Sequence, residues 1–305
     1  MPELPEVEIV RQGLQQYTAG KQIKAIKSDW PKSLPVSDVD VKKHIVGANI
    51  KSVDRRAKVL LIHLNNGYTL MCHLKMTGQL VYIGKAVGRS SKTKVDRFGA
   101  GHPNDSLIAR LPDRSTRITI TFTDGSHLYF NDQRKFGWIK LEKTKGIDDR
   151  VDFLRKLGPE PISEQYNFEA FKAALQRRSR TTIKAAILDQ TVIAGVGNIY
   201  ADEGLFAARI HPATKVADVS TVKLKRLFEA LRQVMLLSIK HGGSSDRNYV
   251  NAKGEKGSYL RFAKVFRREG QACPECGGEI VKIRVAGRGT HICPQCQKLS
   301  ASKSS

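Results

Sequence analysis

Cys273-Pro-Glu-Cys276 and Cys293-Pro-Gln-Cys296 stand near the end of the chain with sixteen residues between them. Read as C-x2-C-x16-C-x2-C, this is the spacing of a zinc module. Two thiolates from each tight turn complete a tetrahedron. The four ligands Cys273, Cys276, Cys293 and Cys296 leave no position for water, so one bound Zn²⁺ would be structural. A redox role is the alternative, and two neighbouring C-x-x-C pairs are unusual for it. Lys282, Arg284 and Arg288 lie between the pairs, and Gly287 and Gly289 flank Arg288. That pattern predicts a β-hairpin with a basic tip, placed either to meet phosphate or simply to face solvent.

Outward from this module, charge is the next strongest signal. The 305 residues include 52 Lys and Arg against 29 Asp and Glu, a formal net charge of +23. That exceeds what solubility needs and predicts a polyanionic partner, nucleic acid first and an anionic membrane surface second. Apolar residues make up 40% of the chain, which excludes wholesale disorder, and the length suggests roughly two domains. No run approaches the ~20 uninterrupted apolar residues of a spanning helix. The best, Ala185 to Ala201, is broken by Asp189, Gln190 and Asn198. Glu3, Glu6 and Glu8 near the start, with no basic segment, argue against a signal peptide, so a cytoplasmic location is expected. Cys72 stands alone in an apolar strand pattern, and the clustering of the other cysteines does not suit a disulfide framework.

The first half reads as β structure behind one helix. Pro5 followed by Val7, Val10, Leu14 and Tyr17 has helical spacing, and Gly20 closes it. Val59 to Leu64 and Tyr68 to Ile83 are strand-like and joined across Asn65-Asn66-Gly67. Ile118, Ile120 and Phe122 alternate with threonines before Asp124-Gly125 turns the chain into His127 to Phe130. Several short antiparallel strands predict a sandwich-like or barrel-like domain. Gly84 to Ser115 is rich in Gly, Lys, Arg and Ser and reads as a long basic loop. Lys143 to Asp149 reads as a polar linker.

The second half turns helical. Val151, Leu154 and Leu157 share a face that Gly158-Pro159 ends. Asn167 caps a helix carrying Phe168, Phe171 and Leu175. Ile183, Ala186 and Ile187 begin another, expected to run to Gly195-Val-Gly-Asn198. Ser220 caps a long helix with Leu224, Leu227, Phe228, Leu231, Met235 and Ile239, ended by Gly242-Gly243.

The opening Pro2-Glu-Leu-Pro-Glu-Val-Glu8 has two readings. Acids and proline both favour a helix N-terminus. If Met1 is removed, however, Pro2 presents a secondary amine able to attack a sugar C1′ or carbonyl carbon, with Glu3 beside it to move protons. This opening, the Gly195-Val-Gly-Asn-Ile-Tyr-Ala201 turn and the four-cysteine finger occur together and in this order. The combination resembles the bacterial formamidopyrimidine-DNA glycosylases, which remove 8-oxoguanine and ring-opened purines. It covers nearly the whole chain. Leu4 resembles this family and not its sister endonuclease VIII, which usually has glycine there.

The resemblance implies roles residue by residue. Pro2 would be the nucleophile, Glu3 would serve proton transfer and sugar-ring opening, and Glu6 would support the site. Lys58, which otherwise reads as a basic strand end, would contact phosphate near the lesion. His73-Leu-Lys-Met76-Thr-Gly78 resembles a strand and turn carrying a phosphate-contacting histidine, His73, and a wedge methionine, Met76 (alone, Met76 reads as ordinary core). Asn131-Asp-Gln-Arg-Lys-Phe-Gly137 resembles the loop that supplies Arg134 and Phe136 to the same wedge. Phe136 could instead be buried beside Trp138. Such side chains fill the hole a flipped base leaves, while an Arg pairs with the orphan base. Gly195 to Asn198 resembles the hairpin of a helix–two-turn–helix module, with Asn198 a DNA contact, although its residues alone fit a plain helix–helix turn. Lys184 would lie near the active site, and Arg288 would grip phosphate.

The implied fold is α+β. An antiparallel β-sandwich-like catalytic domain with flanking helices spans 1–142 and a linker 143–150. A helix–two-turn–helix DNA-binding domain spans 151–243, and a lesion-capping loop and zinc finger span 244–305. The implied activity is a bifunctional glycosylase and abasic-site lyase acting on double-stranded DNA with oxidised bases or abasic sites. It would work as a monomer with one structural Zn²⁺ and no organic cofactor, without membrane association, and at the nucleoid when bound to DNA. Two departures stand out. Gly84–Ser115 is longer than the family's usual connection. Ser244–Leu260, in the place of the loop over the flipped base, reads Ser-Asp-Arg-Asn-Tyr249 and Gly-Ser-Tyr-Leu260, where the family often shows Arg-Asp-Tyr and Gly-Tyr-Phe. The rivals are an oxidised-pyrimidine glycosylase of the endonuclease VIII type and a non-catalytic damaged-DNA-binding protein.

Overall fold

The computed structural model describes residues 2–85, 96–102, 105–244 and 259–299. These fall into two compact units, residues 2–155 with 241–244, and residues 156–240 with 259–299.

The first unit begins with α1 (Leu4–Thr18), whose Leu4, Val7, Val10 and Leu14 are buried at helical spacing. Two antiparallel sheets follow. Five strands run in the order β1 (Ile23–Ser28), β7 (Thr116–Phe122), β8 (His127–Asp132), β5 (Gly78–Ile83), β6 (Arg97–Gly101). Four run in the order β2 (Ile50–Arg56), β3 (Val59–Leu64), β4 (Tyr68–His73), β9 (Trp138–Lys143). α1 packs against β2 and β3 of one sheet and β5 and β6 of the other. β3, β4, β5 and β8 are buried along almost their whole length, which is why they read as continuous apolar runs and not as alternating ones. One-turn helices α2 (Asp38–Asp40), α3 (Ile147–Arg150) and α4 (Asp152–Arg155) complete the unit.

Three sequence expectations change here. The run Tyr68 to Ile83 is two strands in different sheets. Lys75 adopts a left-handed φ of 52°, its N–H donates to His73 Nδ1 at 3.0 Å, and the chain crosses over before β5. Gly78 is required at the crossover, because a Cβ there would lie 2.3 Å from the Leu74 carbonyl oxygen. The Gly84–Ser115 segment is not all loop. Arg97–Gly101 forms edge strand β6, and Phe98 packs against Tyr17 at 5.8 Å between ring centroids. Residues 86–95 and 103–104 of that segment lie outside the described residues. The helix expected through Val151, Leu154 and Leu157 is only the single turn α4.

The second unit carries α5 (Phe168–Gln176), α6 (Ile183–Leu188), α7 (Asn198–Ala207), α8 (Thr221–Lys240) and the hairpin of β10 (Val281–Val285) and β11 (Arg288–Ile292). Asn167 caps α5 through Ala170 N–H at 3.0 Å. Its core gathers Phe171, Leu175, Ile187, Tyr200, Leu205, Leu227 and Leu231, all fully buried. α6 ends at Leu188, earlier than its apolar pattern predicts. The Asp189 carboxylate turns the chain by accepting from Thr191 N–H at 2.9 Å, and the Gln190 amide bonds the carbonyls of Leu188 and Val196. Those side chains offer the backbone an alternative to further helix.

Candidate active site and nucleic-acid interface

Pro2 and Glu3 are buried at the entrance of α1. Glu6 reaches back from the first turn. One of its oxygens accepts from Glu3 N–H at 2.9 Å and the other from Ser244 N–H at 2.9 Å. A single carboxylate therefore ties the start of the chain to the end of the described 241–244 segment. This is one half of a capping box used as a tether. Met1 lies outside the described residues, as do residues 245–258, which make up most of the segment expected to cap a flipped base.

Lys58 follows Ala57, which takes a left-handed φ of 51° in the tight turn between β2 and β3. Lys58 is 8% exposed, so it is not a solvent-facing strand end. Val59 pairs with His73 across β3 and β4, which brings Lys58 beside His73. Burial, then the charges of Lys75 and Lys58, hold the His73 pKa down to about 3. Because Nδ1 accepts from Lys75 N–H, the neutral ring carries its proton on Nε2. His73 thus offers a donor whose protonation does not change near neutral pH, next to a buried ammonium. Both suit a phosphate oxygen.

The wedge candidates are exposed. Met76 is 39% and Phe136 55% accessible, which excludes the core reading of both. The Arg134 guanidinium lies 4.9 Å from the centre of the Phe136 ring.

In the second unit, Gly197 precedes the first turn of α7 and Asn198 opens it. The Asn198 amide donates to the Gly289 carbonyl at 2.9 Å, which joins the helix N-terminus to the hairpin tip. Ala286 and Gly287 turn that hairpin with φ of 51° and 72° and leave Arg288 exposed. Lys184 is wholly buried. Its ammonium donates to Asp202 Oδ1 at 2.6 Å and to Thr290 Oγ1 at 2.7 Å. Asp202 Oδ2 accepts from His291 N–H at 3.0 Å. Glu203, next on α7, accepts from the N–H groups of Lys264, Val265 and Phe266 at 2.8, 3.0 and 2.8 Å. Nothing local in the sequence gives Asp202, Glu203 or Asp132 a role. Each is an acid inside an apolar helix or strand, which does not say what the acid binds.

The four cysteine sulfurs lie within 4.8 Å of one another, with Cys273 and Cys296 at 3.9 Å and Cys276 and Cys293 at 3.4 Å. Four thiolates ~2.3 Å from one ion stand roughly 3.8 Å apart, so the set fits tetrahedral Zn²⁺. Cys273 and Cys293 share a small core with Phe206, Val265 and Ile280, and a zinc held there would fix that core.

A family model described as the formamidopyrimidine-DNA glycosylase N-terminal domain matches residues 1–139. Models for that enzyme's H2TH domain and for the zinc finger found in FPG and IleRS match 157–249 and 270–299. The chain is a member of the formamidopyrimidine-DNA glycosylase family. Proteins of that name from Halalkalibacterium halodurans and Pelotomaculum thermopropionicum are 39% and 38% identical, each alignment covering 98% of this chain and 100% of the relative. The Lactococcus lactis family member solved with Fapy-dG-containing DNA superposes with a TM-score of 0.82 at 32% identity, covering 98% of this chain and 100% of that one. A MutM structure with carbocyclic 8-oxo-G-containing DNA gives 0.82 at 31% identity, with 98% and 100% covered. The L. lactis member has also been solved with DNA containing an oxidised pyrimidine, with a TM-score of 0.82 at 32% identity and the same coverage. As in the rest of the family, β-rich, helical and zinc-finger parts follow one another here, and no described helix is long and apolar enough to cross a membrane.

Proposed function

We propose that this protein is a base-excision DNA glycosylase and abasic-site lyase that removes oxidised purines, 8-oxoguanine and formamidopyrimidines, from duplex DNA. The observation that carries the reading is the family match over the full length with Pro2 and Glu3 retained at its opening. The reading requires removal of Met1, so that Pro2 bears a free amine. The Pro2 nitrogen adds to C1′, the bond from C1′ to the damaged base breaks, and the base departs with a proton. Glu3 delivers a proton to the ring oxygen as the sugar opens, and the nitrogen, whose own proton leaves with the base, forms the C1′=N bond of an iminium ion. Loss of the C2′ proton expels the 3′ phosphate, and a second elimination expels the 5′ phosphate.

Lys58, His73, Asn198 and Arg288 are assigned to phosphate, and Met76, Arg134 and Phe136 to the gap left in the duplex. Glu6 holds the start of the chain. Lys184 supports the site, and its bonds to Asp202 and Thr290 shape the hairpin that carries Arg288. The four cysteines hold one Zn²⁺, which shapes the finger and takes no part in bond breaking. The protein works as a monomer in the cytoplasm, at the nucleoid when bound to DNA.

Borohydride trapping tests this. Intact mass first establishes that Met1 is absent. An 8-oxoguanine duplex should then give a covalent cross-link with the wild-type protein, none on undamaged DNA, and most of it should be lost in Pro2→Gly while DNA affinity is largely kept. Cross-linking only on an oxidised-pyrimidine duplex, the lesion class bound by the L. lactis member, would favour that substrate instead. Binding without any cross-link, even on an abasic duplex, would mark a recognition protein.

A further inference from the structure

Both wedge-bearing turns are crossovers between the two sheets. Leu74 to Thr77 carries the chain from β4 to β5, and Gln133 to Gly137 carries it back from β8 to β9. The strands on each side are paired, His73 with Trp138 and Gly78 with Asp132, so the two crossovers run side by side. Between them sits Asp132, with no solvent exposure. Its Oδ1 accepts from the Thr77 hydroxyl and from Arg134 N–H at 3.2 Å, and its Oδ2 from Gly137 N–H at 2.6 Å. Arg134 N–H is shared with Thr77 Oγ1 at 3.1 Å.

We infer that Asp132 is a positioning residue that locks Met76, Arg134 and Phe136 into one preformed wedge. The inference rests on the reading of those three residues as the filler of the extrahelical gap. Gln133, Arg134, Lys135 and Phe136 are all exposed, while the carboxylate beneath them is buried. A carboxylate out of water is tolerated where donors surround it, and here one donor comes from the Met76 turn and two from the other. Further braces hold the second turn. Lys135 takes a left-handed φ of 59° and sets its ammonium 4.4 Å from the centre of the Trp30 ring. Gly137 has no room for a side chain, since a Cβ would lie 2.5 Å from the Phe130 ring and 3.1 Å from the His73 carbonyl oxygen.

The chemistry requires a carboxylate. Asparagine has the same shape but one acceptor oxygen, and its NH2 would oppose either Gly137 N–H or the Thr77 and Arg134 donors. A wedge held in advance enters the duplex without the entropic cost of ordering two loops.

The test compares wild type, Asp132→Asn, Thr77→Val and Met76→Ala on two duplexes. One carries 8-oxoguanine, read by single-turnover excision. The other carries a preformed abasic site, which has no base to extrude, read by borohydride cross-linking. Both positioning variants should slow excision about 10- to 100-fold. Cross-linking at the abasic site should stay within about threefold, since no base is unstacked there. Adding Met76→Ala to Asp132→Asn should cost little more, because both remove the same device. Excision unchanged in both positioning variants overturns the inference, as does an equal loss on both duplexes. If Asp132→Asn does not fold, Thr77→Val decides alone, since that side chain is only partly buried. A wild-type protein inert on both duplexes overturns the functional reading and this inference with it. An active wild type with unaffected variants overturns this inference alone.

Discussion

Replacing Asp202 by Asn would remove the carboxylate that pairs with the buried Lys184 ammonium inside the second unit. Both side chains have no solvent exposure, and their atoms are 2.6 Å apart. Screening is therefore weak. Removing one partner of such a pair costs about 3–5 kcal/mol, most of it the burial of an uncompensated charge. The lost acceptor for His291 N–H falls within the same range. Against a total stability of about 5–15 kcal/mol this is a large fraction. At roughly 2–4 °C per kcal/mol, the melting temperature should fall by about 6–20 °C. Urea unfolding can follow the second unit separately. Both tryptophans, Trp30 and Trp138, belong to the first unit, whereas α5 to α8 dominate the helical signal of the second. The helical transition should move to lower urea in Asp202→Asn, and the double variant Lys184→Met/Asp202→Leu should recover part of the loss by removing both charges. A cost below about 1 kcal/mol would refute a Lys184–Asp202 pair that behaves as a buried one. A double variant as unstable as the single one would refute the pairing.

Three further outcomes follow from the site. His73 should stay neutral through the working pH range, because its folded pKa is down at about 3 against an ordinary 6.5. Below 6.5 the unfolded chain binds a proton there that the folded protein refuses, so its contribution to stability is present above 6.5 and lost as pH falls toward 3. Urea midpoints from about pH 4.5 to 7 should slope less in His73→Gln, and equal slopes would contradict the assignment. Arg288→Ala should weaken DNA binding and lower the slope of log affinity against log salt by about one unit, measured by anisotropy, whereas an unchanged slope would remove Arg288 from the phosphate contacts. Stripping zinc with a chelator, or Cys276→Ser, should unfold the finger and abolish tight DNA binding while tryptophan emission of the first unit holds. Retained binding without metal would show that the finger needs no ion.

Local chemistry makes much of the protein legible in its sequence. Helix α8 lies where its apolar spacing and Gly242-Gly243 put it, and β3 occupies the six residues read as a strand. Asp124-Gly125 closes the β7–β8 hairpin, with Asp124 Oδ1 accepting from Ser126 N–H at 2.9 Å. Edge strand β6 is hidden because Arg-Phe-Gly-Ala-Gly has one large apolar side chain and no short turn signal joins it to its partner β5. The break at Leu74 to Thr77 is invisible to periodicity because both flanking strands are buried, and only the resemblance marks a turn there.

The individual pieces are legible because capping, turn chemistry, C-x-x-C spacing and net charge each act over a few neighbouring residues or over composition as a whole. Which buried charge meets which group emerges only when the elements pack together. Asp132 joins Thr77 across 55 positions, Lys184 joins Thr290 across 106, and Glu6 joins Ser244 across 238. Such pairings depend on which strands and helices come together, and a residue's type shows that it needs a partner without saying where the folded chain will supply one.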